Sequence, residues 1–223
     1  MIRAVLFDLD NTLIDFMAMK RACVDAAING MRSAGLRTPR EKAVKRLFAL
    51  YYRHGLEDQR IFQKFLKQET GRVDYAILAK GVIAYKKVKE GFLYPYPNVA
   101  DTLAALRSRG YRLGIVTDAP RMQAWMRLAS MNLERAFDFV VTFEDTRKRK
   151  PSALPFAAAL KKLKNVAPPE ILFVGDSLER DVKGASRVGM RTALAKYGEI
   201  RKQKGPKPDY VLKDVSDLKR ILH

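Results

Sequence analysis

The 223-residue chain has a single cysteine, Cys23. No internal disulfide can form, and no metal site built on cysteine sulfur can be assembled. Long apolar runs are missing as well. The amino-terminal stretch MIRAVLFDLDNTLIDF is broken by Asp8, Asp10 and Asp15 before a signal-peptide core or a membrane span could form, so a cytoplasmic protein with no membrane partner is expected. Acidic residues are in deficit: 24 Asp and Glu face 43 Lys and Arg, a formal charge of +19. A field of that sign draws anions, and nucleic acid, an anionic membrane surface and small phosphorylated metabolites all qualify. So does a bland alternative, a solvated surface suited to high temperature. No helix-turn-helix, zinc-finger or basic–aromatic signature is present, so nucleic acid is the weaker partner, although the charge alone does not exclude it.

Five short apolar, β-branched runs read as strands: 2–10, 111–118, 138–145, 170–177 and 191–197. Between them lie amphipathic stretches of helical length, Val99–Arg109, Arg121–Ala129, Ser152–Lys164 and Glu179–Val188, with Gly110 and Gly189 placed as stops. Strands alternating with helices predict an α/β fold, a parallel Rossmann-like sheet covered on both faces. The interval 16–93 breaks the rhythm. It holds no convincing strand and reads as four helices, Phe16–Ala34, Pro39–Arg53, Asp58–Thr70 and Tyr75–Glu90. The expected organisation is therefore a core of residues 1–15 and 94–223 with an all-helical insert of residues 16–93. The basic stretches 147–150 and 201–208 read as loops, the second as a solvated one.

Asp8 and Asp10 close the first strand, where alternation sends both side chains to the same side. Ligands of open α/β sheets bind outside the carboxyl ends of the strands, and two neighbouring acids there call for a cation. An isolated Asp-x-Asp could equally begin a turn. Three further strand ends carry matching chemistry: Thr117 and Asp118 after the second, Lys150 after the third, and Asp176 after the fourth, with Asp181 starting the next helix.

In order and spacing these segments resemble the four motifs of the haloacid dehalogenase superfamily, most closely its helical-cap, phosphoglycolate-phosphatase-like members. FDLDNTLID matches the first motif, VTDA the second, Lys150–Pro151 the third and GDSLERD the fourth, while DYVLKDVSDLKRIL is similar to the family's last strand and helix. The resemblance implies a phosphatase using Mg²⁺ on a small phosphorylated substrate. Asp8 would be the nucleophile and Asp10 the general acid and base. Thr117 and the Asp118 amide would hold phosphoryl oxygens, and Lys150 would offset negative charge. Mg²⁺ would rest on Asp8, the Asp10 carbonyl and Asp176, with Asp181 behind them. Asp10 argues against dehalogenation, because dehalogenases of the superfamily lack that second acid. Phosphomutase and phosphonatase remain alternatives, the latter needing a cap lysine such as Lys20, which on a helix face is expected to be solvent-exposed.

The family places its cap in the 16–93 interval, which carries roughly half of the excess positive charge. Arg53 and His54, expected in a turn with Gly55, are the candidate cap contacts to substrate. Met17, Met19, Phe48, Tyr51, Tyr52, Phe62 and Phe65 are expected to form cap core. A monomer or a homodimer is anticipated.

Overall fold

The computed structural model describes residues 1–222. Six strands form one wholly parallel sheet in the order β3-β2-β1-β4-β5-β6. They are β1 (Ala4–Phe7), β2 (Arg112–Val116), β3 (Phe139–Val141), β4 (Ile171–Gly175), β5 (Arg191–Ala195) and β6 (Tyr210–Leu212). This is the expected Rossmann-like α/β sheet. β1 and β4 are buried along their whole length, as apolar strands covered on both faces must be. Alternation divides β1 between the two faces. Ala4 and Leu6 join Phe156, Ala159, Leu163, Ile171 and Phe173 in one cluster, whereas the Phe7 ring meets Phe137 edge to face at 6.2 Å.

The chain divides into two compact units: Met1–Phe16 together with the chain from Tyr94 onward, and Met17–Leu93. The second unit is helical: α1 (Phe16–Ser33, its first residue belonging to the first unit), α2 (Arg40–His54), α3 (Ile61–Thr70) and α4 (Tyr75–Gly91). Val24, Ile28, Met31, Leu47, Phe65, Leu66 and Leu78 share its core. The first unit adds α5 (Val99–Ser108), α6 (Arg121–Ser130), α7 (Phe143–Thr146), α8 (Ala153–Lys162), α9 (Lys183–Arg187) and α10 (Leu218–Ile221). Among the described residues no helix is long and apolar enough to cross a membrane.

Two local departures from the sequence reading shape the site. The run 138–145 is strand only over Phe139–Val141. Both the Thr142 amide and its hydroxyl donate to Asp145 Oδ2 at 2.7 Å, which closes the chain into α7. The helix expected over 179–188 opens instead as a wide turn, in which the amides of Asp181 and Val182 both donate to Ser177 O at 2.9 and 3.1 Å. Such π-type turns cost regularity and recur where a side chain must be re-aimed. Here the turn lays Asp181 back on β4: a Cβ at Gly175 would stand 2.4 Å from Asp181 Cγ, so only glycine fits.

Candidate active site

The site begins with strand order. β1 lies between β2 and β4, so Asp8, Thr117 and Asp176, each one residue past its strand, emerge from three adjacent strand ends. The ladder runs on just far enough to fix two of them: Asp8 N donates to Val174 O and Thr117 N to Val141 O, both at 2.9 Å. A segment separated in sequence by more than a hundred residues from Asp8 therefore arrives beside it at the spacing of neighbouring strands.

Lys150 joins this group. Its Nζ lies 2.8 Å from Asp8 Oδ1 and 2.7 Å from Asp181 Oδ1, and it donates to Val116 O at 3.1 Å. Burial works against the charge on this amine, but Asp181 and Asp8 outweigh it and raise its pKa above the ordinary lysine value. Its main-chain amide donates to Asp118 Oδ1 at 2.9 Å, so the side chain of Asp118 braces the lysine loop. The Thr117 hydroxyl, also buried, accepts from Ala119 N at 3.1 Å.

Asp8, Asp176 and Asp181 each offer a carboxylate oxygen, all within 4.8 Å of one another and all buried. Burial pushes the Asp8 carboxyl up to about 7 against the pull of Lys150, and burial with Asp181 pushes Asp176 up to about 8. Asp181 also accepts from Ser177 N at 3.0 Å. Arg180, half-exposed, leans over the group with Nη2 3.3 Å from Asp176 and Nη1 3.8 Å from Asp118. Three buried carboxylates facing one buried amine are short of positive charge, and their donors are the hard oxygens that Mg²⁺ prefers. The residues present therefore fit that ion.

Asp10 belongs to a different pair. Its Oδ2 accepts from Nη1 of Arg127 at 2.9 Å, and Arg127 on α6 is among the largest fully buried side chains. Arg127 escaped the sequence reading, although a signal existed: it occupies an inward register with Ala124 and Leu128 on an otherwise apolar face. Gln203 escaped as well and had no such signal. Its amide nitrogen donates to Asp176 O at 2.8 Å, and its carbonyl accepts from Leu178 N at 3.0 Å. The 201–208 stretch read as a solvated loop is thus tied to the acidic turn. Nearby, Tyr197 donates to Thr12 O at 2.8 Å, and a Cβ at Gly198 would stand 1.6 Å from Asn11 O. The loop after β5 and the loop after β1 are locked together.

Other expectations are corrected in the second unit. Arg53 and His54 do not form an interhelical turn; they are the last residues of α2, exposed, where cationic side chains suit the helix carboxyl end. Lys20 is not solvent-exposed. At 4% exposure it donates to Leu56 O at 2.6 Å and to the Tyr85 hydroxyl at 3.0 Å, and its ammonium sits 4.0 Å from the Tyr51 ring centroid. Tyr52 is exposed rather than core and stacks on the half-buried Phe48, while Met17, Met19, Tyr51, Phe62 and Phe65 are buried.

Over its full length the chain is 33% identical to a glyceraldehyde 3-phosphate phosphatase of Methanothermobacter thermautotrophicus, also covered in full. It is 29% identical to a phosphoglycolate phosphatase of Aquifex aeolicus, with 99% of this chain and 96% of that one aligned. A solved structure of an HAD phosphatase from Thermococcus onnurineus superposes with a TM-score of 0.73 at 27% identity, covering 99% of this chain and 98% of the other. The family model for haloacid dehalogenase-like hydrolases matches residues 5–195, and the chain belongs to that family.

Proposed function

We propose that the chain is a Mg²⁺-dependent phosphatase that hydrolyses a small phosphorylated metabolite through an aspartyl phosphate on Asp8. Glyceraldehyde 3-phosphate and phosphoglycolate, the substrates named for its relatives, are the leading candidates. The observation that carries this reading is the buried contact of Asp8 Oδ1 with Lys150 inside a cluster of three carboxylates.

Asp8 attacks phosphorus, and the P–O bond to the substrate alcohol breaks as the P–O bond to Asp8 forms. Asp10 gives its proton to the departing oxygen, then takes one from the water that releases inorganic phosphate and regenerates Asp8. Thr117 and the Asp118 amide hold the phosphoryl oxygens. Lys150 stays charged throughout and offsets the approach of a dianion to a carboxylate. Asp8, the Asp10 carbonyl and Asp176, backed by Asp181, would hold Mg²⁺, whose contribution is further positive charge at the transferring group.

The test is phosphate release from p-nitrophenyl phosphate, glyceraldehyde 3-phosphate and phosphoglycolate with Mg²⁺. Asp8→Asn should be inactive on all three; a variant as fast as the native chain would refute the nucleophile.

A further inference from the structure

A guanidinium is among the costliest groups to bury, yet Arg127 is 1% exposed. It points inward from α6 alongside Ala124 and Leu128, where a leucine or methionine would pack without electrostatic cost. Two contacts give it a purpose. Nη1 donates to Asp10 Oδ2 at 2.9 Å, and the guanidinium carbon lies 4.6 Å from the centroid of the Phe16 ring. Carboxylate and ring come from one short segment, the loop after β1 and the first residue of α1. A planar guanidinium resting on a ring and bonded to a carboxylate fixes the direction of that carboxylate in a way that a point-charge ammonium cannot.

We propose that Arg127 is a positioning residue for phosphoryl transfer: tied through Oδ2, the Asp10 carboxylate is held in the orientation from which it exchanges a proton with the departing oxygen and then with the attacking water. This rests on the roles given to Asp8 and Asp10 above. It also makes a chemical distinction. In the first step the proton on Asp10 moves to the oxygen leaving phosphorus, so an alkoxide, being strongly basic, depends on it. A nitrophenolate is a weak base and departs without it. The second step, in which Asp10 removes a proton from water as the bond from Asp8 to phosphorus breaks, is common to both substrates.

First-turnover release should therefore be measured by rapid quench, with Mg²⁺, for glyceraldehyde 3-phosphate and for p-nitrophenyl phosphate. Arg127→Met keeps the volume and removes the charge. We expect it to slow first-turnover alcohol release about 10²-fold, the scale of a misplaced proton-transferring group, and to slow the nitrophenolate burst less than about threefold. Arg127→Lys should recover part of the loss. In an Asp10→Asn background, Arg127→Met should add less than about twofold, because both substitutions remove one function. Equal slowing of both first turnovers, no slowing of either, or full additivity in the double variant would overturn the proposal. If the Arg127 variants do not fold by circular dichroism, Phe16→Leu loosens the same guanidinium from its other side. It should show the same preference for the alkyl substrate at smaller amplitude, and equal slowing would again overturn the assignment. An undiminished nitrophenolate burst in Asp8→Asn would instead refute the nucleophile on which the proposal stands.

Discussion

Two groups of acids close to the end of β1 are handled in opposite ways. Around Lys150, three buried carboxylates cluster; the buried amine pairs with Asp8 and Asp181, and half-exposed Arg180 pairs with Asp176. Around Asp10, the carboxylate is bonded to a buried guanidinium. The first group lacks positive charge, which suits a centre meant to receive a cation and to act on a phosphoryl group. The second ties a carboxylate to a fixed guanidinium, which suits a side chain that must be held in one direction. A deficit of positive charge suits the receipt of a cation, and a carboxylate–guanidinium tie suits the holding of a direction.

The comparison breaks most readily at Lys150. Lys150→Met should remove activity by at least about 10³-fold, since a carboxylate nucleophile then meets a dianion with its nearest counter-charge gone. It should also destabilise the fold by about 3–5 kcal/mol, because the acids it served stay buried. Arg127→Met should cost less in the same urea titration, because the Asp10 side chain keeps 22% exposure and can regain water. A smaller loss at Lys150 than at Arg127 would invert the argument.

The charge deficit can be tested directly with the ion. At about 100 times its dissociation constant, Mg²⁺ should stabilise the native chain by about 2.7 kcal/mol, read as a rise in urea midpoint over a chelator-treated sample. Asp176→Asn should lose most of that rise, whereas Asp10→Asn, whose side chain serves Arg127, should keep it. Gln203→Ala should weaken Mg²⁺ binding on the order of 10-fold, because the turn bearing Asp176 is no longer clamped.

The smallest effect concerns a carboxylate outside both groups. Burial works against ionisation of Asp209, but hydrogen bonds from the Thr192 amide and hydroxyl, with Arg191, hold its pKa below the ordinary value of 3.8. A lowered folded-state value contributes stability above the unfolded pKa and loses it as pH falls through the folded one. The urea midpoint of the native chain should therefore drop more steeply below about pH 4 than that of Asp209→Asn, by well under about 1 kcal/mol given solvent screening. Parallel curves would show that this tie between β5 and β6 contributes nothing.

Much of this was legible in the sequence, for identifiable reasons. Asp8, Thr117 and Asp176 each stand one residue past a strand that its apolar run announces, but the runs overshoot: β1 ends at Phe7, so Asp10 lies in the following loop and does not close the strand. Helix α6 was legible too, but the partner of its Arg127 was not, because Asp10 lies 117 residues away. The third strand was overextended because its run of Val and Phe continues the β pattern, while the Thr142–Asp145 hydrogen bonds that end it are local polar effects invisible to periodicity. Lys20 was misplaced for the opposite reason. A lysine in a helix is usually solvated, whereas here the Leu56 carbonyl and the Tyr85 hydroxyl return to the same point and accept from it in the interior.

The sequence by itself determined the kind of fold and which strand-end residues would meet, because a parallel sheet brings its strand ends to one edge whatever the loops do. Tertiary structure alone decided which cation serves which acid. Lys150 lies between Asp8 and Asp181, Arg127 against Asp10, and Gln203 across the turn that bears Asp176. The reason is physical: electrostatic and hydrogen-bond partners are chosen by distance and burial in space, and both are set by packing between segments that no local pattern connects.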